Sequence, residues 1–333
     1  MTSIYNSGIR LVLLLQTLGW LEGPMRFFTF LGTADFFILV LPVVYWCIDS
    51  SLGVRIGFIL LFSNSFNEVV KLALQGPRPY WISPQVQALS AESSFGVPSG
   101  HAQIAAGVWG TIAAHVHGHW AWIVAIAIIF LIGLSRIFLA VHFPHDVLVG
   151  WLLGGLTLWA FLAWWNPVAA WLKHRTFLQQ VLLAAAASLV LVAIDGMLIS
   201  ALRGFVVPSS WISNAARAGE PYPDPLSMEG VLTSSGALLG LAVGLAWIEQ
   251  RGGFRPSGSF WKRLLCFLIG LLGLLALYLG LSYIIPSDSS LIGSTFRFVR
   301  YAIVGAWISA GAPLVFFGLQ LAERPDRTRE ASA

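Results

Sequence analysis

The run from Ser135 to Asp146 gathers Arg136, His142, His145 and Asp146 inside an otherwise apolar part of the chain. A carboxylate four residues after a histidine can hold the imidazole in one tautomer and stabilise its cationic form. Arg136, six residues before His142, offers a planar, permanently charged fork of the kind that grips phosphate oxygens. Residues of these types at this spacing point to His142 as a nucleophile, with the rest of the chain placing a phosphate against it.

Two other segments carry matching chemistry. In Lys71-Leu72-Ala73-Leu74-Gln75-Gly76-Pro77-Arg78-Pro79, two cations close a long apolar run. Asn64, Asn67, Glu68, Lys71 and Gln75 fall near helical spacing and should line one interior face. A Glu68–Lys71 structural pair is the plainer alternative for the lysine. In Pro98-Ser99-Gly100-His101, Pro and Gly shape a tight turn whose N–H groups can face an anion at a helix start. Ser99 adds a hydroxyl donor, and His101 can hand a proton to a leaving oxygen. The tetrapeptide alone is weak, since Pro256-Ser257-Gly258 recurs with no histidine behind it.

The elements that must position these groups are membrane helices. Of 333 residues 57% are hydrophobic and 10% charged, and mean hydropathy is +0.78; soluble domains carry about 25% charged residues. Net charge is only +4, which excludes a nucleic-acid partner, and Cys47 and Cys266 in apolar runs imply no disulfide framework. Residues 1–24 read as an interfacial amphipathic helix, because the apolar run Ile9 to Leu21 is short and ends at Glu22-Gly23-Pro24. About nine transmembrane helices follow, near 25–48, 55–75, 101–117, 120–138, 146–165, 177–200, 230–249, 262–285 and 297–321. The fold class is therefore an all-α integral membrane protein. A catalytic core spans 25–172, five spans that with the interfacial helix make a six-helix unit. A four-helix carboxy-terminal bundle occupies 173–333.

Loop charge sets the expected orientation. Lys173-His174-Arg175, Gln250 to Arg263 and the tail with Arg324, Arg327 and Arg329 fall on one side, taken as cytoplasmic. Residues 76–100 and 136–145 then meet on the extracytoplasmic face, as expected of an enzyme of the cell (inner) membrane. The loop 201–229, with Pro221-Tyr222-Pro223-Asp224-Pro225, reads as irregular and close to that face.

The three segments together resemble the type 2 phosphatidic acid phosphatase superfamily. Its pattern is Lys, six residues, Arg-Pro; then Pro-Ser-Gly-His; then Ser-Arg, five residues, His, three residues, Asp. Lys71, Arg78, Pro79, Pro98 to His101, Ser135, Arg136, His142 and Asp146 fit every fixed position, across roughly residues 55–165. The resemblance implies that His142 attacks phosphorus to form a phosphohistidine, with Asp146 orienting it. His101 would protonate the leaving oxygen and then activate water. Lys71, Arg78 and Arg136, with Ser99 and the Gly100 N–H, would hold the phosphoryl oxygens, with no metal and no cofactor.

The implied partners are membrane lipids and a phosphorylated lipid substrate: phosphatidate, phosphatidylglycerophosphate, a sphingoid phosphate or a polyprenyl pyrophosphate. Arg78-Pro79-Tyr80-Trp81 and the nine-helix layout also partly resemble glucose-6-phosphatase. Tyr80, Trp81 and Glu92 are accordingly candidate substrate contacts, against membrane-belt aromatics and a solvated loop carboxylate as the plainer alternatives. A lipid phosphotransferase is a second enzyme class. A lipid transporter or scramblase, suggested by buried Asp35, Glu68 and Asp195, would not need two histidines and three phosphate-gripping cations. Asp195, Glu229, Arg297 and Arg300 read either as a second headgroup pocket or substrate gate or, more plainly, as an ion-pair set that fixes helix packing, and His115, His117 and His119 as bystanders.

Overall fold

The computed structural model describes residues 2–284 and 290–324, and within them the chain is helical with no strand. The fourteen α-helices are α1 Thr2–Gln16, α2 Glu22–Phe30, α3 Ala34–Val43, α4 Ser50–Leu74, α5 Pro79–Ile82, α6 Gly100–Val116, α7 His119–Phe138, α8 Pro144–Lys173, α9 Phe177–Ala201, α10 Ser209–Arg217, α11 Glu229–Glu249, α12 Phe260–Ile284, α13 Leu291–Ala306 and α14 Ala312–Gly318. Arg327 and Arg329, counted above toward orientation, lie outside the described residues.

Among the described residues seven helices are long and apolar enough to cross a membrane, and eight if the bent pair Gly19–Phe30 and Ala34–Ile48 is one span. The remaining expected span, 101–117, is α6, with 17 residues. At 1.5 Å per residue it reaches about 25 Å, at the short end of the roughly 17–25 residues with which a helix crosses a bilayer. Ten of its residues are buried in protein.

Packing divides the chain into two compact units, each built from separated stretches: 1–36, 66–161 and 194–228 in the first, 37–65, 162–193 and 229–333 in the second. Both units draw on residues either side of Lys173. All three motif segments belong to the first, whose core includes Val12, Leu72, Tyr80, Trp81, Phe95, Phe138 and Val141. Small residues allow its helices to close on one another. A Cβ on Gly150 would lie 2.6 Å from the Ser99 carbonyl, and one on Gly154 2.5 Å from that of Gln103, so α8 runs hard against α6. The loop 201–229 is not wholly irregular: it contains α10, whose Trp211 stacks on Trp81 at 5.2 Å and whose Asn214 donates to the Trp81 carbonyl at 2.9 Å.

The second unit has its own core around Tyr45, Trp46, Phe254 and Phe316. There α11 and α13 meet through glycines, with a Cβ on Gly240 falling 1.8 Å from the Ala302 carbonyl. Arg297 pairs with Glu229 at 2.8 Å, while the buried Arg300 lies over the Tyr301 ring. Asp195 belongs to the first unit, so the four residues read as one set are divided between the two.

Candidate active site

Each motif sits where a helix begins or ends. α7 stops with Ala140 in the left-handed region, φ 63°, a conformation that costs an L-residue about 1–2 kcal/mol. The backbone N–H groups of Val141 and His142 both turn back to the Arg136 carbonyl, which fixes His142 in the turn before Pro144 opens α8. Proline suits that first helical position, where its missing N–H has no partner to lose. Ser99 caps α6, its hydroxyl accepting from the Ala102 N–H at 3.5 Å. The Ser99 N–H donates to the Asp146 carbonyl at 3.0 Å. That bond ties the Pro-Ser-Gly-His turn to the histidine segment.

His142 is 2% exposed, with Nδ1 3.5 Å from Asp146 Oδ2. The distance is long for a hydrogen bond, and Oδ2 already accepts the Phe143 N–H at 2.8 Å. Asp146 Oδ1 faces His145 Nε2 at 3.2 Å. Burial, reinforced by Arg78, Arg136, Lys71 and His101, holds the His142 imidazole well below its ordinary value of 6.5, so it is neutral near pH 7. His101 is packed beneath the turn that follows α2: a Cβ on Gly32 would lie 2.9 Å from its ring, and among the described residues its Nε2 is buried without a hydrogen-bond partner.

The three cations converge, but their donors are largely committed. Arg78 is fully buried. Its Nε donates to the Ser94 carbonyl at 2.7 Å, Nη1 to that of Val141 at 2.9 Å, and Nη2 to Ser94 Oγ and the Phe95 carbonyl at 3.1 Å each. A guanidinium has five N–H donors, so Arg78 clamps two loops together with four of them. Lys71 Nζ reaches Ser94 Oγ at 2.9 Å and Glu68 at 3.1 Å; the structural pair weighed from sequence thus coexists with membership of the cluster. Arg136 donates through Nη1 to Thr29 Oγ1 at 2.6 Å and through Nη2 to Glu92.

Glu92 is the anion of the cluster. One carboxylate oxygen meets Arg136 and the other lies 3.6 Å from Arg78 Nη2. Burial alone would raise its pKa, but Arg78 and Arg136, with His101 and Lys71 behind them, hold it down at about 2. Its backbone is fixed separately, since the Tyr80 hydroxyl donates to the Glu92 carbonyl at 2.6 Å and the Asp224 N–H to that of Ser93 at 3.0 Å.

Lys71, Arg78, Ser99, Gly100, His101, Arg136, His142 and Asp146 therefore lie in one unit, around the turns that precede α6 and α8. Tyr80 and Trp81, weighed as substrate contacts, are committed to protein partners. They are 1% and 0% exposed, Trp81 spent on Trp211 and Tyr80 on holding Glu92. Sequence reasoning missed Ser94, which joins Lys71 to Arg78, and Thr29, the one polar side chain between Arg26 and Gly32. His145, counted in the histidine run but given no role there, is stacked on Phe143 at 5.3 Å beside Tyr5 of α1.

The chain has known relatives. Residues 52–170 match the PAP2 superfamily, and residues 232–324 match the transmembrane extension of PAP2 superfamily phosphatases. The chain is similar to phosphatidylglycerophosphatase B of Bacillus subtilis, 31% identical over 40% of this chain and 70% of that protein. It is also similar to glucose-6-phosphatase 3 of Bos taurus, 27% identical over 98% of this chain and 99% of that protein. A solved PAP2-type phosphatidylglycerolphosphate phosphatase from Bacillus subtilis matches at 24% identity and TM-score 0.45, over 50% of this chain and 89% of that one. The chain belongs to the PAP2 superfamily. It is a membrane phosphatase with partial likeness to the glucose-6-phosphatases.

Proposed function

We propose that this phosphatase hydrolyses phosphate monoesters without a metal, through a phosphohistidine on His142. The convergence of Arg78 and Arg136 on the carboxylate of Glu92, in the unit that holds His142, carries the proposal. With Asp146 facing Nδ1, the Nε2 lone pair is the one free to attack phosphorus. The P–N bond forms as the P–O bond to the alcohol breaks, and His101, charged by a proton taken from the bound monoester monoanion, gives that proton to the leaving oxygen. The cationic imidazole then gains a closer contact with Asp146. His101 next takes a proton from water; the water oxygen attacks phosphorus, the P–N bond breaks and inorganic phosphate leaves. Lys71, the remaining Arg78 N–H, Arg136 and the start of α6 stabilise charge on the phosphoryl oxygens throughout.

The site is assigned to the extracytoplasmic face on loop charge. A lipid monoester is the preferred substrate class. α1 packs Gly8 against Phe143 and turns Ile4, Leu11 and Leu14 outward, giving an apolar surface beside the histidine turn that suits an acyl or prenyl chain in the interface. A hexose phosphate is the second reading, favoured by likeness to glucose-6-phosphatases over nearly the whole chain. Phosphate release in detergent from phosphatidate, phosphatidylglycerophosphate, undecaprenyl pyrophosphate, sphingosine phosphate and glucose 6-phosphate separates the two. Activity should survive EDTA and be blocked by vanadate. Loss in EDTA that a divalent ion restores would refute the metal-free route.

A further inference from the structure

Glu92 stands where the chemistry calls for a phosphate. Its two oxygens bridge Arg78 and Arg136, the cations that a phosphoryl group would need, and among the described residues that carboxylate makes no other ion pair or hydrogen bond. The surrounding backbone is tied down through Tyr80, Asp224 and Arg78, whereas the side chain is held at its tip by the two guanidinium groups alone. The carboxylate can therefore swing away about its own torsions while the loop stays in place. A quarter of the side chain is exposed against 0% for Arg78 and 2% for Arg136, so it is also the part of the cluster that solvent reaches first.

Building on the phosphatase reading, we propose that Glu92 is a tethered competitor for the phosphate subsite, one that sets how strongly an anion must bind to occupy it. Every incoming anion must displace the same carboxylate, so the penalty is uniform. The ratio of affinities between two anions is unchanged, but anions that bind weakly to begin with no longer fill the site. The competitor carries one charge and two oxygens, and being part of the chain it acts at a high effective concentration. A phosphodiester headgroup offers the same single charge and two free oxygens, and gains nothing by the exchange. A phosphate monoester brings a second charge and a third oxygen for Lys71 and the start of α6. In a bilayer made largely of phosphodiesters, this keeps the catalytic site from being saturated by its own solvent.

The test is oxyanion binding to the full-length protein in detergent, by calorimetric titration and by inhibition of phosphate release, for wild type, Glu92→Gln and Glu92→Asp. The probes are orthophosphate, orthovanadate and a short-chain phosphatidylglycerol. Glu92→Gln should tighten all three by a common factor of about 10 to 100, and phosphatidylglycerol should become a measurable competitive inhibitor. Glu92→Asp, one methylene short, should fall between. Equal or weaker binding by a folded Glu92→Gln, its unfolding midpoint recorded alongside, would overturn the proposal, and so would wild-type behaviour in Glu92→Asp. Tighter vanadate binding in a protein that hydrolyses no monoester would instead refute the phosphatase reading and leave the competitor standing.

Discussion

Arg78→Lys separates the two roles open to this residue. If Arg78 serves only as a positive charge near phosphate, lysine keeps most of its value. If it serves as the clamp between Ser94, Phe95 and Val141, lysine cannot replace it, because a single nitrogen cannot reach carbonyls approached by both guanidinium edges. Four donated bonds of 2.7–3.1 Å are at stake, of which lysine can retain one or two. Charge-assisted bonds contribute about 1.5–3 kcal/mol each, and buried carbonyls left unpaired add to the loss, so the expected destabilisation is about 3–5 kcal/mol. His142 follows Val141 directly, so the released loop also displaces the nucleophile, and a misplacement of ~1 Å costs about 100-fold in rate. Thermal unfolding in detergent reads the first effect and kcat/KM for monoester hydrolysis the second. Arg78→Lys should resemble Arg78→Ala in both. A lysine variant with wild-type stability and most of its activity would refute the clamp.

His142→Ala should abolish turnover and acid-labile phosphoenzyme, while His101→Ala should slow cleavage most for esters with poor leaving groups, seen as a steeper dependence of kcat on leaving-group pKa. Asp146→Asn can still accept the Phe143 N–H but no longer stabilises the imidazolium, so kcat should fall about a thousandfold with the unfolding midpoint little changed. Because burial, Arg78, Arg136, Lys71 and His101 all lower the His142 pKa, the imidazole stays neutral as pH falls through 6.5. Followed by NMR in the free enzyme, it should titrate below that value, and a midpoint at or above 6.5 would contradict it. Glu92 is lowered from 4.5 to about 2, which corresponds to about 3 kcal/mol of stability present above pH 4.5 and lost as pH falls toward 2; Glu92→Gln should flatten that part of the unfolding profile.

The reacting groups were legible in the sequence because their chemistry rests on fixed spacing. Four residues from His142 to Asp146 span one turn, and Ser99 before Gly100-His101 is a helix cap by type. What lay hidden depends on chain returning from a distance. Tyr80 and Trp81 look like interface aromatics until residues 205–225 come back to cover them, with Trp211 on Trp81 and Phe205 on Phe95. α6 reads as a membrane span because its composition is apolar; that it is largely packed by protein, with Gly150 and Gly154 of α8 against it, shows only in the fold. A division near Lys173 follows the order of helices, whereas each compact unit collects stretches from both sides of that residue. Glu92 carries no local mark at all. Only the fold shows that it answers Arg78 and Arg136.

That answer has an energetic reason. Lys71, Arg78 and Arg136 are 7%, 0% and 2% exposed, and like charges gathered out of water are tolerated only when counter-charge is at hand. Glu68 serves Lys71 and Glu92 serves both arginines, so the frame stays assembled between substrates. The same economy couples stability to ligand. Glu92→Gln should lower the unfolding midpoint, and vanadate, supplying the missing negative charge, should restore it by a larger increment than it adds to wild type. Equal increments in the two proteins would mean that the carboxylate and the oxyanion do not share a place.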